Sequence, residues 1–435
     1  MSKVQQPVAL RARYLFPIAS PPIRDAMIVV NNGEILAVGP AVRITRQFDM
    51  TPIDLGEVIL LPGLVNAHTH LEFSDLTKPL GQPGMAFTDW IRQVMSFRRE
   101  RAEPDTGTET RIITGIRELI QTGTAAVGEI ATNTFVPEGF PLDHLVSIGK
   151  GEQSLLLQNQ LSAIPRVTAF FELIGLSAER IESAKALAVA YCAPDIQRSF
   201  WQMALSPHAP YSCHLNLLTW VCEQSAANKF PVAMHLSETR EELQLLHDGT
   251  GAFKHLLEEF GVWNSTAFPA GRIAKDYLEV LAKADRALVV HGNYLTNDEI
   301  AFLGTNRQRM SVVFCPRTHA FFQHDDYHLR FMLRSGVRVA LGTDSRASNS
   351  DLSVWQEARH VARQFPDIAA EHILEMITIN GAEALGLEEK LGSLQAGKLT
   401  HLNYLTMSKA NEKLTAEDLL HHPDVPRNLA FASNE

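Results

Sequence analysis

Short apolar runs alternate with helical patterns along residues 63–385, and this alternation restricts the fold more than any other feature of the chain. The strand-like runs are the stretch that ends near His68 and residues 124–130, 166–173, 202–206, 231–236, 287–291, 310–315 and 337–343. Helical patterns separate them, for instance residues 215–228, 240–260, 351–364 and 370–385. Eight such units predict either a closed barrel or a doubly wound open sheet. Polar groups at the carboxyl ends of many strands favour the barrel.

Both ends of the chain carry shorter β signals. Asn31-Asn-Gly33 stands between the apolar runs 26–30 and 35–39, which is a good hairpin signal. After Leu385 the chain returns to β-type runs at residues 392–394 and 401–405. We therefore predict an α/β protein, with a (β/α)8 TIM-type barrel over residues 62–387 and a small β domain formed by residues 1–61 together with 388–435.

The composition is that of a globular protein with a large core, since 45% of the 435 residues are hydrophobic and 20% are charged. A formal charge of −10 without a dense Lys/Arg block argues against nucleic acid or an anionic membrane as a partner. No apolar run approaches a membrane span and the N-terminal residues lack a signal-peptide core, so we expect a cytoplasmic protein. The expected partner is a small molecule, and a homodimer is compatible with the sequence.

Two histidines follow the first barrel strand at a spacing that suits metal binding. In Leu61-Pro-Gly-Leu-Val-Asn-Ala-His68-Thr-His70 the two side chains lie two residues apart. Residues i and i+2 of an extended chain point to the same face, so both imidazoles can reach one ion. Taken alone, this motif is more simply interpreted as two ordinary surface histidines. Similar residue types at other strand ends make a metal site the better interpretation.

Three further strands are followed by residues that can bind a metal. These residues are His235 after Phe230-Pro-Val-Ala-Met, His291 after Leu288-Val-Val and Asp344 after Val339-Ala-Leu-Gly-Thr, with Glu238 three residues beyond His235. An acid after so apolar a strand needs a partner or a metal to offset its desolvation. Imidazoles and a carboxylate around an open coordination position suit zinc or ferrous iron acting on water.

This ordered set resembles the amidohydrolase superfamily, framed as it is by Gly63-Leu-Val-Asn-Ala-His68 and Gly342-Thr-Asp-Ser345. It is similar to the branch that holds S-adenosylhomocysteine and methylthioadenosine deaminases, guanine deaminase and the triazine chlorohydrolases. The resemblance covers nearly the whole chain. It implies a barrel with a small β-sandwich domain into which the β segments of both chain ends pair.

The resemblance also implies a role for each candidate residue. His68, His70, His235 and Asp344 are expected to bind one divalent metal, zinc in the first place and iron as the alternative. Glu238 is expected to carry protons to the substrate's ring nitrogen and leaving amine, His291 to orient the attacking water, and Asp344 to take its proton. Binuclear members carry a carboxylated lysine on the fourth strand, and Gln202-Met-Ala-Leu-Ser-Pro-His208 contains none.

The candidates for substrate binding come from the same resemblance. They are His208, Glu72, Trp90, Arg98, Arg99, Arg317 and His319. His208 lies in a segment similar to one that contacts the heterocycle in the family. Arg98 and Arg99 stand where adenosine-type deaminases hold the ribose with a carboxylate, and an arginine suits an anionic group instead. The alternative for both is a solvated helix end.

His70-Leu-Glu-Phe-Ser74 and Arg98-Arg99 are similar to aminodeoxyfutalosine deaminases, which remove an adenine amino group from a nucleoside bearing a benzoate. We therefore predict a deaminase of an amino-purine nucleoside or a related N-heterocycle. A hydrolytic dechlorinase or cyclic amide hydrolase is the alternative enzyme, although dechlorination needs no proton donor such as Glu238. A catalytically inactive barrel acting as an assembly subunit is the alternative of another class, but no metal-site or water-site position is lost.

Overall fold

The computed structural model describes residues 6–101, 107–132, 164–192, 201–407 and 413–431. The strands in this part of the chain are β1 (Val8–Leu15), β2 (Ile23–Asn31), β3 (Glu34–Pro40), β4 (Ile53–Asp54), β5 (Val58–Pro62), β6 (Leu64–Thr69), β7 (Thr124–Ala131), β8 (Arg166–Leu173), β9 (Trp201–Pro207), β10 (Pro231–Leu236), β11 (Arg286–His291), β12 (Met310–Phe314), β13 (Arg338–Leu341), β14 (Leu402–Thr406) and β15 (Arg427–Asn428).

The α-helices, numbered in chain order, are α1 (Ala41–Gln47), α2 (Phe87–Glu100), α3 (Thr108–Gln121), α4 (Ala178–Tyr191), α5 (Leu215–Asn228), α6 (Arg240–Asp248), α7 (Ala252–Glu259), α8 (Ala274–Leu281), α9 (Asn297–Thr305), α10 (Pro316–Phe321), α11 (Leu329–Arg334), α12 (Val354–Gln364), α13 (Ala370–Met376), α14 (Ile379–Leu385) and α15 (Ala416–Leu420). Short 3-10 helices occur at Leu71–Phe73, Ser265–Ala267 and Leu429–Phe431. Within the described ranges, no helix combines the length and the apolar character needed to cross a membrane.

Strands β6 to β13 form one parallel sheet in which each strand pairs with the next along the chain. The sheet closes where β6 meets the end of β13, because Thr69 and Asp344 form a parallel bridge there. Side chains of Asn66 and Thr343 reinforce this seam, with Asn66 Nδ2 donating to Thr343 Oγ1 over 2.8 Å. The predicted eight-stranded barrel is thus confirmed, and the carboxyl ends of all its strands face one side.

The remaining seven strands form a separate mixed sheet in the order β15-β14-β5-β1-β2-β3, with β4 paired to β1. Strand β14 pairs with β5 over residues more than 300 positions apart, so segments from both ends of the chain form this sheet. In the described residues it is a single sheet. One face packs on helix α1 through Ala41 and Ile44.

The predicted helix over residues 240–260 is two helices. Gly249 ends α6 in the left-handed conformation, with φ of 62°, and its N–H donates to the Leu245 carbonyl. Helix α7 then starts after Gly251 in a new direction, which brings Leu256 and Leu257 to the wall of a cavity. The predicted helix over 370–385 is likewise split, because Thr378 has a non-helical backbone between α13 and α14.

Candidate active site

Five predicted site residues come together at the carboxyl end of the barrel. His68 lies near the end of β6 and His70 directly after it, His235 lies in β10, His291 ends β11 and Asp344 follows β13. All are buried except His70, which is partly exposed. Active sites of (β/α)8 barrels are built at this end of the strands.

His68 is the centre of the cluster. Its ring centroid lies 4.9 Å from that of His70, 5.0 Å from that of His235 and 5.8 Å from that of His291. Oδ1 of Asp344 lies 3.6 Å from Nε2 of His68 and 3.5 Å from Nε2 of His70. His68 belongs to two sets of potential ligand atoms, and within each set the atoms lie within 4.8 Å of one another. One set adds His235 and His291, and the other adds His70 and Asp344.

The geometry of this cluster fits a divalent metal ion. Nε2 of His68 is buried and has no hydrogen-bond partner in the described part of the chain. Nδ1 of His235 lies 3.0 Å from the carbonyl oxygen of His208, which places the proton on Nδ1 and leaves Nε2 with a lone pair. Ligand atoms held ~2.1 Å from one zinc ion in a tetrahedron lie ~3.4 Å apart, close to the contacts of Asp344 with His68 and His70.

The ionisation states of the cluster also suit metal binding. Burial lowers the pKa of His70, His235 and His291 well below the ordinary value, so these rings are neutral. Burial opposes ionisation of Asp344, but the nearby His68 outweighs it and holds the pKa of this carboxyl well below its usual range. Neutral imidazoles and an anionic carboxylate are the forms that bind metals.

Close backbone contacts hold the two halves of the cluster together. The N–H of Asp344 donates to the carbonyl of His68 over 3.0 Å. Gly342 makes this approach possible, because a Cβ there would lie 2.8 Å from the Cβ of His68. Asp344 and His291 have φ of 57° and 69°, a region that non-glycine residues rarely adopt. Such strain is typical of functional sites.

Glu238 lies beside the cluster. Its Oε1 is 3.3 Å from Nε2 of His291, and its side chain is buried. Burial raises the pKa of Glu238 well above the ordinary value, and the charges of Asp344 and Glu242 raise it further. A buried carboxyl group with a raised pKa is of the kind that can donate a proton to a substrate.

Two further buried acids support these residues, and the sequence interpretation did not single them out. Glu129 in β7 accepts hydrogen bonds from Thr69 Oγ1 at 2.7 Å and from the Leu71 N–H at 2.9 Å. Glu242 accepts from the N–H groups of Ser237 and Glu238 at 2.8 and 3.0 Å. An acid within an apolar strand, and a Thr239–Glu242 helix start directly after Glu238, are the signals that could have identified them.

A cavity of about 390 Å³ opens over the cluster. Its apolar wall is formed by Phe73, Phe87, Trp90, Ile91, Val94, Met95, Leu256, Leu257 and Phe260. Four predicted substrate-binding residues, Trp90, Arg98, Arg99 and His208, also line it. Glu72 is placed behind Arg98, with Oε1 2.5 Å from Nη2 of that arginine. Glu172, the residue before the last one of β8, lines the cavity as well and was missed by the sequence analysis.

The structure places Arg317 and His319 away from the cavity, which corrects their prediction as substrate-binding residues. Helix α10 begins at Pro316, directly after β12, and turns both side chains into the protein. Arg317 pairs with Glu357 through Nε at 2.5 Å and with Asp351 through Nη2 at 2.6 Å. His319 is buried against the ring of Tyr327. Both residues therefore stabilise the fold.

The match to known proteins agrees with this site. Residues 59–417 match the sequence profile of the Amidohydrolase family. The chain belongs to the amidohydrolase family. This match includes every residue of the cluster, from His68 to Asp344.

Relatives of this amidohydrolase carry related names. The 5-methylthioadenosine/S-adenosylhomocysteine deaminase of Moorella thermoacetica is 29% identical over 436 residues, covering 96% of this chain and 88% of the relative. The crystal structure of Helicobacter pylori aminofutalosine deaminase superimposes with a TM-score of 0.77 at 21% identity, covering 97% and 98% of the two chains. Atrazine chlorohydrolase of Arthrobacter aurescens, complexed with zinc, gives 0.68 at 18% identity and covers 93% and 88%.

Glu242 of this amidohydrolase is expected to position Glu238 through the backbone. The Glu242→Gln substitution replaces one of the two acceptors with a donor that faces an N–H group, which costs ~1–3 kcal/mol for an unsatisfied buried group. We expect a loss of unfolding free energy of this size in urea, together with a lower kcat at nearly unchanged KM. The neighbouring Glu241→Gln is the matched control. Wild-type kcat in Glu242→Gln would show that Glu242 does not position Glu238.

Proposed function

We propose that this protein is a metal-dependent hydrolytic deaminase that removes the exocyclic amine of an amino-purine nucleoside or a related N-heterocycle. The observation that carries this proposal is the buried carboxyl of Glu238, whose pKa is raised by burial, beside His291 and the metal-binding cluster. Deamination needs a proton donor for both the ring nitrogen and the leaving amine. The printed names of the Moorella and Helicobacter relatives support the same chemistry.

His68, His70, His235 and Asp344 are proposed to hold one divalent ion, with zinc as the metal. When bound, such an ion lowers the pKa of a water ligand and so supplies a nucleophile near neutral pH. His291 orients the attacking water through Nε2, and Asp344 accepts its proton. Glu238 donates a proton to the ring nitrogen as the oxygen adds to the adjacent carbon. A second proton delivered through Glu238 then releases the amine as ammonia when the carbon–nitrogen bond breaks.

His208 is proposed to hold the heterocycle. Burial lowers the pKa of His208 to about 3, with the charges of Arg98 and His68 acting in the same direction, so the ring is neutral. Its Nδ1 lies 2.6 Å from Ser212 Oγ, which leaves Nε2 for the substrate. The aromatic wall with Phe87 and Trp90 suits a planar ring. The proposed partners are a small molecule and water, and the proposed location is the cytoplasm.

The function is tested by an ammonia-release screen with zinc-loaded protein over amino-purines, amino-pyrimidines and their nucleosides. We expect ammonia from at least one amino-purine nucleoside, with the corresponding oxo-purine as the second product. A panel that contains aminodeoxyfutalosine tests the specific candidate suggested by the Arg98-Arg99 motif. Absence of ammonia from the whole panel, with metal bound, would contradict the proposal.

Arg99 is proposed to read an acidic group of the substrate. It lines the cavity, is exposed, and lies with its guanidinium 6.0 Å from the Phe260 ring centroid. We expect Arg99→Met to lower kcat/KM for a carboxylate-bearing nucleoside by ~1.5–3 kcal/mol, the contribution of a charge-assisted hydrogen bond. Arg99→Lys should retain part of this effect. Steady-state kinetics on the carboxylate and on its neutral amide measure it, and an equal loss on both substrates would rule out this role.

A further inference from the structure

His291 leaves its strand through a tight turn that non-glycine residues rarely adopt. Its φ is 69°, and the N–H of Gly292 donates to the carbonyl of Val290 over 3.1 Å. A hydrogen bond that closes over a central residue of positive φ defines the rare and strained form of the γ-turn. Strain of this kind persists only where surrounding contacts hold the residue in place. The backbone of His291 therefore depends on the groups that touch it.

The two neighbouring strands hold the turn only in part. On the side of β10, the N–H of Gly292 also donates to the carbonyl of Leu236 over 3.1 Å. On the other side, the ladder between β11 and β12 ends at the pair Val290 and Val313. The carbonyl of His291 lies one residue beyond this ladder, and there a side chain takes over from the sheet.

That side chain is Tyr327, which lies in the connection between α10 and α11. Its hydroxyl donates to the carbonyl oxygen of His291 over 2.9 Å, and both residues are buried. The ring stacks on Phe314, the last residue of β12, with centroids 3.7 Å apart and planes 8° from parallel. Phe314 is itself fully buried. Close packing on such a ring fixes the position of the hydroxyl relative to the barrel.

We propose that Tyr327 is a positioning residue, which holds the strained backbone of His291 so that its imidazole faces the metal-binding cluster and the attacking water. The imidazole held in this way has its Nε2 3.3 Å from Glu238 Oε1, and its centroid lies 5.4 Å from that of His235. A displacement of about 1 Å at such a site can cost about 100-fold in rate. Tyr327 acts only through His291. This inference rests on the proposed deaminase function and adds to it.

The experiment is the Tyr327→Phe substitution in the zinc-loaded protein, which removes the hydroxyl and keeps the stacked ring. We expect kcat for ammonia release to fall about 10- to 100-fold, with KM changed by about twofold or less. Metal content should equal that of the wild type. In a crystal structure of the variant, we expect the imidazole of His291 to be displaced and its φ to leave the positive region.

Tyr191→Phe is the matched control, because Tyr191 is a buried tyrosine of the same kind in another part of the barrel. Its hydroxyl donates to the carbonyl of Ala169 in β8 over 3.2 Å, and its ring stacks on Phe171 at 4.4 Å. Both variants should lose a similar amount of stability in urea, since each loses one buried hydrogen bond. Only Tyr327→Phe should lose kcat.

Binding of two nucleosides separates positioning from a general effect on the cavity. One carries a hydroxyl on a tetrahedral ring carbon and so mimics the addition intermediate, and the other is the oxo-purine product. Groups that act in the transition state contribute to binding of the first kind of ligand. We expect Tyr327→Phe to weaken binding of the tetrahedral analogue by the factor lost in kcat/KM. Binding of the product, measured by calorimetry, should change by about twofold or less.

Wild-type kcat in Tyr327→Phe would overturn the inference, and so would an unmoved His291 in its crystal structure. An equal loss of kcat in Tyr191→Phe would also overturn it, since it would show an effect of stability alone. Loss of metal together with kcat would place the action of Tyr327 on the cluster instead of on His291. If the wild type releases no ammonia, the deaminase proposal fails, and the two crystal structures still decide whether Tyr327 positions His291.

Discussion

Replacing His235 with alanine is expected to remove the metal and the activity together. His235 contributes one of the imidazoles around His68, and its Nδ1 is fixed by the carbonyl of His208. Loss of a partner outside the ligand shell already costs ~10–100-fold in metal affinity, so loss of a ligand should cost at least as much. Metal content by elemental analysis and ammonia release, measured on the same preparation, test this expectation.

The exposed His247 on α6 offers the matched control, since His247→Ala removes an imidazole without touching the cluster. We expect this variant to keep metal and activity. Wild-type protein should hold one equivalent of metal per chain, because both sets of ligand atoms share His68 and strand β9 carries no lysine. Two equivalents in active protein would contradict the single-metal site. An active, metal-free His235→Ala would contradict the ligand assignment itself.

The sequence predicted the barrel well because its signal is local. Each barrel strand is a short apolar run, and helix α5 has the predicted bounds 215–228, since turns and apolar spacing mark both ends. The metal-binding cluster could be predicted from the sequence for the same reason. His68, His70, His235, His291 and Asp344 each stand at a strand end, and parallel strands bring such positions to one side of the barrel.

What the sequence did not reveal depends on contacts between distant residues. The pairing of Arg98 with Glu72 joins positions 26 residues apart and removes the guanidinium from the set of available anion-binding groups. Arg317 directly follows Pro316, and its side chain is directed by its ion pairs with Asp351 and with Glu357 on α12. Glu172 lies in a mostly apolar strand, and only the structure shows that it lines the cavity. Local spacing carries no information about such pairings.

The Glu238→Gln substitution is expected to keep the metal and to lose most of the turnover. The amide has nearly the same shape and leaves the histidine cluster intact, but it has no carboxyl proton to transfer. General acid–base groups typically contribute ~10²–10⁴-fold to rate, so kcat should fall by that factor. KM should change much less, because the loss is one of transition-state stabilisation. Elemental analysis of the same preparation shows whether the metal is retained.

The same variant separates deamination from dechlorination. Release of chloride needs no proton on the leaving group, so a dechlorinase should tolerate Glu238→Gln better than a deaminase does. Parallel ammonia and chloride assays on amino- and chloro-substituted heterocycles therefore compare the two reactions within one protein. A loss of ammonia release below tenfold would make Glu238 a structural neighbour of His291, whereas a large loss confined to the amino substrates would tie the carboxyl of Glu238 to departure of the amine.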